Sequence, residues 1–256
     1  MPEFRARYEF KYLITPDEMA WIRSVARVYS DPDPYGDDGT YNVISLYYDT
    51  YDWRLAMQTV EGVRNRTKIR IRTYGWTDDM PVFAEDKSRV GTSICKRRAL
   101  MPRSDWPLLG TGEAGSPTGF RALKQSHQAD YDAIRNLFDY MDLRPRMWVG
   151  YVREAYGSSY GDGARLTFDF QLRAQAPTLE TCSEPDHDAW QWVRLEGGLP
   201  IILELKFNNA FPAWMQYLVH TLGLRRVSCS KYVQSCEQVG DVPWNRVEPE
   251  AAWTVF

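Results

Sequence analysis

Residues 67–75 read TKIRIRTYG, and the alternation in this run decides the fold. In an extended chain successive side chains leave on opposite faces. Ile69 and Ile71 therefore share one face, while Lys68, Arg70 and Arg72 share the other, with Arg66 just ahead of them. The same two-residue period returns outward along the chain. In VFAEDKSR (82–89), Glu85, Lys87 and Arg89 fall together; in ICKRRAL (94–100), Lys96 and Arg98 take one face and Arg97 the other. Tyr151-Val-Arg153, Arg165-Leu-Thr167-Phe-Asp169 and Glu204-Leu-Lys206 repeat the pattern. Short strands separated by turn-rich stretches predict an antiparallel meander.

A charged face is ordinarily the solvated side of a half-buried sheet, and each strand taken alone reads that way. Taken together they do not. A solvated face mixes Thr, Ser, Gln and both signs of charge, whereas these faces are dominated by Arg and Lys with a few Glu. Cations about 5 Å apart on neighbouring strands repel, so an anionic ligand is expected to compensate them. The whole chain carries a net charge of −3, and its acids sort into loops at Asp31, Asp33, Asp37, Asp38, Asp78 and Asp79. If the sheet closes with the basic face inside, a barrel of about eight strands encloses a slender, positively lined tunnel. A linear phosphate chain fits that shape and charge, and arginine forks match its oxygens. The expected fold is mainly β (α+β): a closed antiparallel β-barrel forming a tunnel, with a few flanking helices. One domain over 1–256 is expected, its core at about 5–239.

The remaining segments fill in around the strands. Residues 5–14 predict a strand with Arg5, Arg7, Glu9 and Lys11 on one face and Tyr8, Phe10 and Tyr12 on the other. Thr15-Pro16-Asp17-Glu18 reads as a capping box opening a helix that carries Met19, Ile22 and Val25 or Ala26. A loop is expected over 31–39, a strand at 41–49, a short helical or irregular crossing at 52–60, an insertion loop with a short helix over 103–128, and a helix over 131–142. Strands follow near 147–156, 164–172, 190–196 and 200–207, and helices near 211–222 and 228–239.

Composition, at 44% hydrophobic and 25% charged residues, argues for a packed globular chain over a disordered one. Cys95, Cys182, Cys229, Cys236 and the three histidines lack zinc-site spacing. Reduced thiols are expected, with a Cys229–Cys236 disulfide left open. The N-terminal MPEFRARYEFKYLI carries charge where a signal peptide needs an apolar run, and no window approaches an uninterrupted membrane span. A cytoplasmic protein without an integral membrane segment is expected. The overall acidity gives no electrostatic reason to bind nucleic acid.

Arg7-x-Glu9-x-Lys11-Tyr12 resembles the opening strand of the triphosphate tunnel metalloenzymes, whose hallmark is ExExK; Arg7 stands where the first Glu would be. It is followed in order by Ser45-Leu-Tyr-Tyr-Asp49-Thr50, Lys68-Ile-Arg70-Ile-Arg72-x-Tyr74, Glu85-x-Lys87, Lys96-Arg97-Arg98, Leu203-Glu204-Leu-Lys206-Phe207, Pro212-x-Trp214 and Ser230-Lys231-Tyr232. The ordered set is similar to the VTC (vacuolar transporter chaperone) polyphosphate polymerase domain. The resemblance implies an antiparallel tunnel that moves the γ-phosphate of ATP onto polyphosphate with Mn²⁺ or Mg²⁺. It implies that Lys11, Arg70, Arg72, Lys87, Arg98, Arg153, Arg165, Lys206 and Lys231 hold phosphates, with Lys231, Arg70, Arg72 and Glu204 catalytic. Glu204 is the expected metal ligand, with Glu9 in support; Glu85 is read equally as support or as charge balance. Lys231 is expected to reach into the tunnel mouth, against the alternative of a Ser230 helix cap with Lys231 solvated. Eukaryotic members often carry an SPX sensor and a membrane segment, neither of which is expected here. ATP, triphosphate and polyphosphate are the expected partners. A metal-dependent tri- or polyphosphatase or nucleoside triphosphatase of the same fold, and a non-catalytic polyphosphate-binding module, stay open as alternatives. Tyr12, Tyr47, Tyr48, Trp53 and Trp214 are the aromatic candidates for an adenine stack, although aromatics are more often core.

Overall fold

Every alternating run becomes a strand. The computed structural model describes residues 7–75, 77, 80–91, 93–108, 124–178, 181 and 184–245. Ten strands form one antiparallel sheet: β1 (Arg7–Ile14), β2 (Ser30–Pro32), β3 (Thr40–Asp49), β4 (Arg66–Thr73), β5 (Val82–Val90), β6 (Ser93–Met101), β7 (Arg144–Ser158), β8 (Arg165–Gln175), β9 (Gln191–Trp192) and β10 (Ile201–Asn208). The hydrogen-bonded path runs β1-β10-β8-β7-β3-β4-β5-β6, with β2 added beside β7 and β9 beside β8.

The path does not close. β1 and β6 are its two ends, so the sheet is a half-barrel and not the closed barrel expected from sequence. Its curl is nonetheless strong, because Lys87 of β5 donates to Glu9 of β1 at 3.2 Å although five strands separate them along the path. Two long side chains meeting head to head hold their backbones well beyond the ~4.8 Å spacing that strand hydrogen bonds require. The charged inner face that makes the tunnel also keeps its walls apart.

β8 carries the irregularity that shapes the wall. Asp169 faces inward, Gln171 adopts a positive φ of 53°, and the register against β7 shifts between Gly150 and Val152. The extra residue lets Leu172 and Ala174 continue on the inner face after Asp169, as a β-bulge does.

Five helices complete the described residues: α1 (Pro16–Tyr29), α2 (Arg54–Val60), α3 (Gln128–Met141), α4 (Ala213–Thr221) and α5 (Lys231–Val239). The capping box at Thr15 and Glu18 forms with both of its hydrogen bonds. α1 and α4 cover the outer face of β1, β10 and β8 through Ile22, Met215, Leu203 and Phe168; α3 covers the outer face of β3 to β6 through Ile134, Phe138, Ile69 and Ile71. α5 packs its Tyr232 and Cys236 with Tyr47, Met147, Val149 and Ile202 of the inner face. The half-barrel is therefore plugged on its concave side. Among the described residues no helix is long and apolar enough to cross a membrane.

Two boundaries differ from expectation. The 31–39 loop begins as β2, and the 190–196 strand shortens to Gln191–Trp192, since a 3₁₀ turn at Glu196–Gly198, with Gly197 and Gly198 at φ 68° and 73°, leads the chain away. Cys229 and Cys236 are free and buried. Arg5, Asp78, Asp79, Cys182 and residues 109–123 of the insertion lie outside the described residues.

Candidate tunnel site

The register brings the basic runs together. Lys11 lies opposite Glu204, Glu9 opposite Lys206, Lys206 opposite Arg165, and Arg153 opposite Asp169. On the far wall Arg70 lies opposite Glu85, and Glu85 opposite Arg98. Strand parity then sends all of these side chains to the concave face.

Two buried carboxylates organise the cations. Glu204 is nearly fully buried and touches four of them: Lys11 at 3.4 Å and Lys231 at 3.1 Å through Oε1, Lys206 at 2.8 Å and Arg153 at 3.5 Å through Oε2. Glu85 takes Arg70 at 2.6 Å, Arg98 at 3.3 Å, Lys96 at 3.6 Å and Arg72 at 3.8 Å. Its arrangement is that of a charge-balancing hub. Tyr47 accepts from Arg70 at 2.8 Å, and Ser45 from Arg72 at 3.2 Å, so both guanidinium forks are held in place.

Lys231 opens α5 directly after Ser230, whose hydroxyl accepts from Val233 N as an N-cap. The cap is real, yet Lys231 is not solvated. It is 8% exposed and reaches Asp169 at 2.5 Å as well as Glu204, with its ammonium 4.8 Å from the Tyr151 ring centroid. A lysine in the first turn opposes the helix dipole, so its carboxylate partners are what hold it there.

Protonation follows from these contacts. Burial works against the charge on Glu204, but Lys206, Lys231, Lys11 and Arg153 outweigh it and hold the carboxyl well below its ordinary range. Glu9 is brought down to about 2 in the same way, against burial, by Lys206, Lys87 and Lys11. Burial also opposes the charge on Lys231, and Asp169 and Glu204 raise it in compensation. Lys68 is the exception. Burial, then Lys11, Lys87, Arg66 and Arg70, all push its amine down, to about 7, and among the described residues its one polar contact is donation to Ser230 Oγ at 2.8 Å.

Of the residues singled out from sequence, Lys11, Arg153, Lys206, Lys231 and Glu204 form one cluster, and Arg70, Arg72 and Arg98 a second around Glu85. Lys87 and Glu9 bridge the open side. Arg165 sits at the rim, paired with Asp33 and donating to Tyr41 at 3.2 Å. Sequence reasoning gave Asp169 no role, though it receives Arg153 bidentately at 2.6 and 2.7 Å and binds Lys231. Its place in the alternation Arg165-x-Thr167-x-Asp169 was the signal. The five aromatic candidates are all engaged by protein: Tyr47 stacks on Tyr232, Trp214 on Tyr29, Trp53 meets Trp244, and Tyr12 and Tyr48 lie in the outer cores.

Glu204, Asp169 and the buried Thr167 hydroxyl, which has no hydrogen-bond partner among the described residues and lies opposite Glu204, offer the hard oxygen donors that Mg²⁺ or Mn²⁺ selects. Among the described residues no three His, Cys, Asp or Glu side chains gather as a metal cage. With Glu204 already shared among four cations, the residues fit a divalent ion that brings phosphate oxygens with it, not one enclosed by protein alone.

Superposition on one solved structure supports the architecture. A candidate adenylate cyclase from Bacillus halodurans superposes with a TM-score of 0.51 at 13% identity, covering 88% of this chain and 94% of that one. A candidate adenylyl cyclase from Hippeastrum, described as having a dominant triphosphatase activity, matches at a TM-score of 0.47 and 13% identity, over 89% of this chain and 93% of that one. No curated protein matches the sequence. The VTC domain model, however, matches residues 6–239, which takes in every strand and all five helices, and the chain belongs to the VTC domain family.

Proposed function

We propose that the protein transfers the γ-phosphoryl group of ATP onto a polyphosphate chain held along the concave face, with Mn²⁺ or Mg²⁺. The observation that carries this reading is the pair of cation clusters facing each other across the half-barrel, one around Glu204 and one around Glu85. Phosphoryl transfer spreads charge over non-bridging oxygens and asks for positioning and electrostatics more than for a nucleophile. The site matches that demand.

Arg70 and Arg72 hold phosphates in forks that Glu85, Tyr47 and Ser45 orient in advance. Lys11, Arg153 and Lys206 grip the chain from the opposite wall, and Lys87, Arg98 and Arg165 do so nearer the edges. Lys231, fixed between Asp169 and Glu204, places its charge where it builds up on the transferred group. A divalent ion at Glu204 would neutralise phosphate oxygens there. Incubation with ATP and Mn²⁺, followed by separation of long polyphosphate from free phosphate, tests the proposal. Polyphosphate is the expected product. Free phosphate alone would make water the acceptor and the protein a triphosphatase, and no turnover would leave a binding module.

A further inference from the structure

The concave face does not contain all the unpaired cations. Its basic stripe on β4 runs from Arg72 to Arg66, and Arg66 lies opposite Arg89 of β5 at the strand end. There both arginines border a cavity of about 730 Å³ on the outside of the sheet, which is also lined by Arg54 and Gln58 of α2, by Arg97 of β6 and by Tyr140 of α3. Among the described residues Arg54, Arg66 and Arg89 make no ion pair within 4 Å, whereas Arg97 is held at 2.9 Å by Asp86, itself fully buried. Arg66 donates to the Val63 carbonyl and Arg89 to the Gly91 carbonyl, which fixes both near the opening without neutralising them. Burial and the charge of Arg89 both depress the Arg66 guanidinium, the mark of cations pressed together without an anion.

We propose that this cavity is a second anion site, which holds the stretch of a phosphate chain that has left the tunnel. The inference rests on the concave face binding phosphate, as proposed above. Continuity is the argument for a chain over a single phosphate: Arg66 and Arg89 belong both to the inner stripe and to the outer cavity, and Arg54 and Arg97 extend the positive surface beyond them. A ligand ending in the tunnel would leave these groups unused, and one long enough to emerge would meet them next.

The test uses the full-length protein with Arg54→Gln, since that side chain is exposed, lies outside the inner stripe and makes no ion pair within 4 Å among the described residues. Arg97 is left intact, because its removal would strand buried Asp86. Affinities for tripolyphosphate and for long-chain polyphosphate are measured over a range of salt, with melting temperature as a check on folding. The wild type is expected to bind the long chain more tightly than tripolyphosphate. The variant should lose ~5-fold or more on the long chain, with a salt slope shallower by about one, while tripolyphosphate affinity stays unchanged. Equal losses for both ligands, or none, overturn the second site and leave the tunnel reading standing. Wild-type protein that binds neither ligand overturns both. A single-stranded oligonucleotide of equal charge that competes as well as polyphosphate would also overturn it, by showing a surface that does not select phosphate chains.

Discussion

At the scale of single residues, the inward-pointing set was readable because a period of two leaves no choice of face once one member is placed. Its pairings were not readable. Nothing within Arg165-x-Thr167-x-Asp169 says that Asp169 will meet Lys231, which arrives on a helix much later in the chain. That pairing separates two kinds of cation. Lys231 is clamped by two carboxylates, whereas Arg70 is held by Glu85 and a phenol and keeps donors free for a bound phosphate. Losing an interaction made only in the transition state lowers kcat, and losing a uniform one raises KM. Lys231→Ala is therefore expected to lose ~10²-fold in kcat with triphosphate still bound, and Arg70→Ala to weaken triphosphate binding itself. Turnover beside calorimetric affinity measures both, and a Lys231 variant with normal turnover would remove that residue from the chemistry. Lys68 gives a separate test. It faces Lys11, Lys87, Arg66 and Arg70, and has no acid within ion-pair reach among the described residues. With its amine pushed down to about 7, much of it is neutral in the free protein near pH 8, and a bound phosphate chain favours the charged form. Binding near pH 8 should then take up a proton, and affinity should fall as the pH rises through this range. Calorimetry in buffers of different ionisation enthalpy reads the uptake, which Lys68→Arg should abolish; unchanged uptake in that variant would count against the assignment.

At the scale of elements, long periodic segments and chemically explicit caps were legible, and short additions were not. The capping box at Thr15 and the helix after Ser230 follow from local chemistry. β2 and β9, of three and two residues, are too short to carry a period and exist only because β7 and β8 present edges to them. α5 was legible as a helix but not as a plug. Its place is set by Tyr232, which stacks on Tyr47 at 4.6 Å and donates to Asp49 at 2.9 Å, while Asp49 also accepts from the backbone of Leu55 and Ala56 at the start of α2. One buried carboxylate thus ties β3, α2 and α5 together, joining two of the sequence pieces that carried the family resemblance. Tyr232→Phe keeps the stack and removes one donor to a buried charge, which should cost about 1–3 kcal/mol. Asp49→Ala strands three backbone donors, those of Thr50, Leu55 and Ala56, and the phenol together and should cost more. Melting curves decide it. Equal costs, or no cost for Tyr232→Phe, would show that packing alone seats α5.

At the scale of the whole molecule, the sorting of charge was legible and the closure was not. A net charge of −3 hid a concave face where cations outnumber acids, and alternation revealed it. Whether β1 meets β6 depends on how far charged side chains hold the walls apart, which no single strand encodes. The half-barrel's integrity consequently leans on carboxylates, and this sets its response to acid. Burial opposes charge on Glu9, Glu85, Asp169 and Glu204, yet in each the neighbouring cations win and hold the carboxyl below its ordinary value. A group whose folded pKa lies below its unfolded one contributes stability that is present above the unfolded value and lost as the pH falls through the folded value. For Glu9 that window runs from 4.5 down to about 2. As these groups protonate, Lys11, Arg70, Lys87, Arg153 and Lys231 are left facing one another in a sheet whose end strands β1 and β6 are not paired among the described residues. The melting temperature should therefore fall steeply between about pH 4.5 and about pH 2.5. Tripolyphosphate, by replacing the lost negative charge between the walls, should restore much of it, and chloride at the same ionic strength should restore little, because screening does not bridge the two cation clusters. Melting curves across that range with each salt test the argument. Equal rescue by chloride, or a melting temperature that stays level to about pH 3, would mean that the outer cores under α1, α3 and α4 hold the half-barrel without help from its charged interior.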